Sequence, residues 1–177
     1  MAVAGVSAAC SNSSLQPSSL RFLTAAEAAN LETWAETLIP ADQDAGAKQA
    51  GVVLYIDRQL TRKYKKLQPD YRQALAAIDR AAQQLRGVPF TQLAADDRTT
   101  LLVNLEAGKT DRAIFSDGGK AAFEMVLSHT LQGFYGNPRH GGNKDYASWR
   151  MVGVPPMQVR GRQHYQAAET FLVPEKS

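Results

Sequence analysis

Cysteine is almost missing from this chain. One residue, Cys10, in 177 excludes an internal disulfide, a four-thiolate metal site, an iron–sulfur cluster and the paired cysteines of a c-type haem attachment. Long apolar runs are missing as well, since no stretch approaches the ~20 apolar residues of a membrane-spanning helix. A charged fraction of 21% and a mean hydropathy of -0.31 agree with that. Aromatics make up only 8% of the residues, and charge of one sign is scarce: 20 Lys plus Arg stand against 17 Asp plus Glu, a net +3. That excess is too small to mark a nucleic-acid binder. What remains is one domain that buries roughly 70% of the surface its unfolded chain exposes, enough for a core without staples.

The charge is unevenly placed. Residues 1–20 carry none, residues 21–138 carry 14 basic and 14 acidic side chains, and residues 139–177 carry 6 basic against 3 acidic. Within the balanced part Arg58, Arg62, Lys63, Lys65 and Lys66 cluster, which on a helix reads as a solvated face. At the N-terminus a small and apolar run ending in Ser7, Ala8, Ala9 and Cys10 passes into a Ser-rich stretch. This is how the end of an export signal meets a mature chain. Residues 1–20 are therefore expected to be a disordered remnant of such a signal, with Cys10 a candidate for lipidation.

Helical signals dominate from Leu23 onward. Thr24 and Glu27 have capping-box spacing, and Leu31, Trp34, Ala35 and Leu38 mark one buried face before Pro40 ends it. Ala41 to Gly46 reads as a turn. From Ala47 the pattern Val53, Ile56, Leu60 and Tyr64 predicts a second and longer helix, ending near Pro69. Asp70 is then the expected N-cap of a third helix with face Tyr71, Leu75, Ile78, Ala82 and Leu85, closed by Gly87 and Pro89. After a short helical turn at Thr91 to Ala94, Asp96 is the expected cap of a helix carrying Leu101, Leu102 and Leu105, stopped by Gly108. The strongest pattern runs from Lys120 to Tyr135, where Phe123, Val126, Leu127, Thr130, Leu131 and Phe134 predict the central core helix. No segment alternates with period two. The expected fold is all-α: a bundle of about five to six helices over residues 21–156, with an irregular Gly-, Pro- and aromatic-rich C-terminal segment and an extension at 157–177.

Catalytic signatures are scarce too. The chain has no G-x-G-x-x-G, no P-loop, no G-x-S-x-G and no H-E-x-x-H, and His129, His140 and His164 lie too far apart to form a helical metal pair. His129, beside the apolar stripe, reads as a hydrogen-bonded core or interface histidine. An alternative gathers Asp42, Asp44, His129 and His140 at one end of the bundle as the metal or acid/base site of a small hydrolase or lyase. The unusual stretch is Ser128 to Pro156. There Gly136, Gly141 and Gly142 allow positive φ, Pro138 and Asn143 favour turns, and Tyr135, Tyr146 and Trp149 alternate with Arg139 and Arg150. Such a mixture either caps the core from within or faces outward as a protein interface.

Two blocks carry a resemblance. His129-Thr130, Gly133-Phe134-Tyr135-Gly136, Pro138, Gly141-Gly142-Asn143, Trp149 and Gly153 form the first; Leu38-Ile39-Pro40, Asp42, Gly46-Ala47, Ala50-Gly51-Val52 and Ile56-Asp57 form the second. Their order and spacing resemble the gluconate 2-dehydrogenase subunit 3 family over residues 22–156, with Pro156 standing where the family has Gly. The resemblance implies a non-catalytic small subunit, without metal or cofactor of its own, of a periplasmic sugar, glucoside or sugar-acid dehydrogenase. Its partner would be a large subunit of the glucose–methanol–choline oxidoreductase (GMC) type that holds FAD, and a cytochrome c subunit carrying haem would take the electrons onward. The small subunit would assist folding and twin-arginine export of the large one, and in another version would contribute one wall of the sugar-binding cavity. Membrane association would come through the complex or through Cys10. The expected docking residues are His129, Phe134, Tyr135, Pro138, Arg139, Gly141, Gly142, Asn143, Trp149 and Arg150.

Overall fold

The computed structural model describes residues 19–154. The expectations for residues 1–18, for Cys10, for Pro156 and for the extension 157–177 lie outside that range. Six helices follow in order: α1 (Ala25–Leu38), α2 (Val52–Leu60), α3 (Gln68–Arg86), α4 (Ala95–Glu106), α5 (Lys120–Tyr135) and the short α6 (Ala147–Met151). No strand occurs among the described residues, so the all-α bundle is what forms.

The local physics explains most boundaries. The capping box starts α1, with the Glu27 amide donating to Thr24 Oγ1 at 3.2 Å and the Thr24 amide donating to Glu27 Oε2 at 2.8 Å. The helix ends at Leu38, just ahead of Pro40, and α3 is closed as expected at Gly87. Helix α5 is central, packing on α1, α2, α3 and α4, and its Phe123, Val126, Thr130 and Phe134 are buried. Around it the largest buried side chains are Trp34, Tyr71, Phe90 and Phe134. Removing a buried ring of this kind to Ala costs about 3–5 kcal/mol. Phe90 owes its place to a 3₁₀ turn, Phe90–Gln92, which tucks it 6.3 Å from the Trp34 ring.

Four sequence expectations are corrected. Helix α2 begins at Val52, after Gly51 as its N-cap, and not at Ala47, and it stops at Leu60 without reaching Pro69. Arg62 stands three and four residues from Lys65 and Lys66, and like charges at those spacings repel on a helix; the Leu60 carbonyl is taken instead by the Gln68 side chain at 2.9 Å. Tyr64 nonetheless points inward from the irregular turn that follows. Asp70 is not a cap: α3 begins two residues earlier, with Pro69 in its first turn needing no donor. Nor is Asp96, because Ala94 occupies the N-cap and both Asp96 and Asp97 lie in the first turn, where they favour the positive helix end. Leu85 and Leu131, assigned to buried faces, are 42% and 40% exposed.

One tether was not anticipated. Asp57 on α2 is fully buried and accepts the backbone N–H groups of Arg21, Phe22 and Leu23 at 2.7, 3.0 and 2.9 Å. Three charge-assisted bonds replace the water the carboxylate loses. They fix the chain leading into α1 against α2, the helix that also meets the C-terminal segment.

Candidate docking site at the end of the central helix

The last carbonyls of a helix have no further turn to bond them. At the end of α5 those of Phe134, Tyr135 and Gly136 are satisfied by side chains that arrive 7 to 14 residues later in the chain. Ser148 Oγ donates to the Phe134 carbonyl at 2.6 Å, Trp149 Nε1 to that of Tyr135 at 2.8 Å, and Asn143 Nδ2 to that of Gly136 at 2.9 Å. Asn143 also accepts the Ser148 amide at 2.9 Å through Oδ1, and both residues are fully buried. The segment is further tied to the turn before α2, where the Lys144 amide donates to the Ala50 carbonyl at 2.9 Å.

This closure needs tight backbone geometry. Asn137 caps the 3₁₀ turn Pro138–His140 by accepting the Arg139 amide at 3.1 Å. Gly141 then turns with φ +103°, against the Arg58 side chain. Gly142 and Gly136, also free to take positive φ, do not. At Gly142 the need is proximity: a Cβ there would land on the Gly133 backbone, 2.9 Å from its carbonyl carbon and closer still to its oxygen. Asn143, Asp145 and Tyr146 all take left-handed φ, at 45°, 54° and 58°. Left-handed backbone is uncommon for non-glycine residues and an outlier for a bulky one such as Tyr146.

The expected docking residues thus divide in two. Phe134, Gly142 and Asn143 are buried and brace the segment internally, and His129 is buried in the bundle. Tyr135, Arg139 and Arg150 are exposed, and Pro138, Gly141 and Trp149 are half-buried. The large apolar side chains exposed among the described residues, Leu85 and Val103 apart, fall between Leu131 and Val154. They comprise Leu131, Tyr135, Met151, Val152 and Val154. Apolar exposure gathered at one end of a domain signals contact with another surface more often than scattered residues do.

Beside this end lies a polar cluster. Tyr71 Oη is 2.7 Å from His129 Nδ1, and the Tyr64 ring stacks on the imidazole with centroids 4.0 Å apart. Tyr64 also donates to Gln132 Oε1, and Tyr55 Oη lies 3.4 Å from the same oxygen. Burial and the nearby Lys63 ammonium hold His129 below its usual pKa, while burial and the neighbouring phenols push Tyr71 up. His129 is therefore a neutral, hydrogen-bonded core histidine, as its setting in the sequence suggested. The alternative constellation is not assembled: Asp42 and Asp44 bond within their own exposed turn, His140 is exposed beside Arg139, and no group of three or more His, Cys, Asp or Glu suited to a metal ion occurs among the described residues.

Sequence reasoning missed Asp57, Ser148 and the phenol cluster as a unit. Asp57 and His129 stood inside the matching blocks, but their partners are 34 to 58 residues away, and no local pattern reveals them.

Comparison with known proteins gives one result. The family model described as gluconate 2-dehydrogenase subunit 3 matches residues 25–156, which contain α1 to α6 and the whole closure at the end of α5. No curated protein and no solved structure matches the chain.

Proposed function

Because the chain belongs to the gluconate 2-dehydrogenase subunit 3 family, we propose that it is the accessory small subunit of a periplasmic FAD-dependent dehydrogenase acting on a sugar, glucoside or sugar acid. It docks on the FAD-binding large subunit and assists its folding, export and stability, and electrons pass on through a cytochrome c. The observation that carries the reading is the family match over the six-helix domain. The exposed apolar and aromatic residues at the end of α5 support docking there. Tyr135, 46% exposed, has its ring edge-on to the buried Phe134 at 4.9 Å, so its position is fixed before any partner arrives. Preorganised aromatic anchors are the residues whose truncation costs an interface most, ~2 kcal/mol or more.

The test is co-expression with the large subunit followed by co-purification, comparing the wild type with Tyr135→Ala and Tyr135→Ala/Arg150→Ala. Both side chains are exposed, so the melting temperature of the small subunit alone should move little. Recovery of the complex and of FAD-loaded large subunit should fall at least tenfold. Undiminished recovery would sink the docking surface proposed here; a wild-type chain that never co-purifies with the large subunit would sink the accessory role.

A further inference from the structure

The irregular turn after α2 exposes Arg62, Lys63, Lys65 and Lys66 within five residues. None of them enters an ion pair among the described residues. The ion pairs that do form lie elsewhere, joining Lys48 to Glu32, Arg72 to Glu27, Arg86 to Asp97 and Lys120 to Glu124. Lys63 Nζ lies 5.6 Å from the centre of the Tyr64 ring, and like charges packed into one turn repel each other.

This turn is contiguous with the end of α5. Tyr64, at its middle, stacks on His129 and bonds Gln132, and the Gln132 carbonyl accepts the Gly136 amide at 3.0 Å. Arg58, one turn earlier on α2, lies against Gly141. From Gly141 the chain runs on through exposed Lys144 and Arg150, with Arg139 just before. These three cations likewise form no ion pair among the described residues. The two basic stretches therefore both adjoin the C-terminal half of α5, the helix that carries exposed Leu131 and Tyr135.

We propose that the turn Arg62–Lys66, together with Arg139, Lys144 and Arg150, is an electrostatic docking face that meets an acidic surface of the partner dehydrogenase subunit. The inference rests on the accessory-subunit reading and adds the chemistry of the partner's surface. Three features favour a protein over an anionic lipid surface. The anchors beside the cations sit on backbone fixed by Asn143, Ser148 and Trp149, which suits a shaped partner. Asp145 interrupts the cations between Lys144 and Arg150, a mixed pattern that a uniformly anionic membrane would not reward. The α6 helix, with five residues, is also too short to lie in a membrane interface as an amphipathic helix does.

Complementary charge acts chiefly on the rate of association and on its salt dependence. The test is the full chain carrying Arg62→Gln, Lys63→Gln, Lys65→Gln and Lys66→Gln, bound to purified large subunit across a salt series, with a thermal melt as folding control. At ~50 mM salt the variant should associate about tenfold more slowly than the wild type, and the two rates should converge by about 0.5 M. An unaltered rate and salt slope would overturn this proposal while leaving the complex itself intact. So would wild-type protein that sediments with phosphatidylglycerol vesicles, loses that property in the variant, and forms the complex at the same rate either way. Failure of the wild type to form any complex would instead remove the accessory-subunit reading, and this proposal with it.

Discussion

The bundle and the segment that closes it are held together by different means. Between α1 and α5 the packing is apolar and shared: the buried Leu, Ile, Val and Phe side chains belong to one continuous core, and cores of this kind tolerate changes that keep volume and pattern. Between Gly136 and Gly153 there is little apolar burial to share. That stretch is fixed by a few side-chain to backbone bonds from Asn143, Ser148 and Trp149, and by one close backbone approach at Gly142. Such an arrangement specifies one conformation sharply, and it has little to fall back on when one member is lost. A surface that must present Tyr135 and its neighbouring cations in a fixed geometry is better served by the second kind of construction.

Gly142→Val should break that contrast most visibly. The added carbons would meet the Gly133 backbone, which cannot swing aside as a long side chain would. The expected cost is about 3 kcal/mol, the upper end for overpacking, read as a fall in melting temperature together with new protease cleavage between residues 137 and 152. The matched change in the bundle is Ile78→Val, at a fully buried site, where about 1 kcal/mol is expected. Equal losses at the two sites would erase the distinction.

Asn143→Ala comes next. It removes the partner of the Gly136 carbonyl and of the buried Ser148 amide, and an unsatisfied buried group costs about 1–3 kcal/mol. Asn143→Gly separates the two contributions of the residue, since glycine accepts φ +45° freely but makes neither bond. If bonding dominates, both variants lose ~2 kcal/mol or more and differ by less than 1 kcal/mol. Recovery of near-native stability in the glycine variant would show that Asn143 is there for its backbone conformation alone.

What could be seen in the sequence follows the same division. Period-3.6 apolar spacing revealed α1, α3 and α5, and Thr24 with Glu27 marked where α1 begins, because those signals are local. Tyr64 misled the reading of α2: it continues the i, i+4 spacing after Leu60 and does face the core, but from the irregular turn that follows the helix. The segment after Gly136 was recognisable as unusual from its glycines and aromatics, and Asn143 was among the residues singled out. Its work could not be read, because every bond it makes depends on where the chain returns after Gly141. Gly142 was chosen for conformational freedom and turned out to be needed for proximity, a distinction only the position of Gly133 can supply.

His129 is where the bundle behaves like the segment, since its place depends on specific polar contacts with Tyr71 and a stacked Tyr64 in an otherwise apolar helix interface. This makes a smaller and pH-dependent prediction. Burial, with Lys63 nearby, holds the folded imidazole below its ordinary value of 6.5. As pH falls through about 6.5, the unfolded chain takes up a proton that the folded chain refuses. Stability from this group is therefore complete above that pH and declines as pH falls below it, by at most ~1.4 kcal/mol per pH unit, until the folded imidazole also protonates. The groups seen against the ring are the Tyr64 and Tyr71 side chains, and the Lys63 charge nearby disfavours an imidazolium. Denaturant unfolding at steps between pH 7.5 and 5.5 should show that decline in the wild type, and His129→Gln should be flatter over the same range despite its lower starting stability. Parallel pH profiles for the two proteins would mean that the imidazole protonates as readily folded as unfolded, and that the histidine cluster belongs with the tolerant apolar core after all.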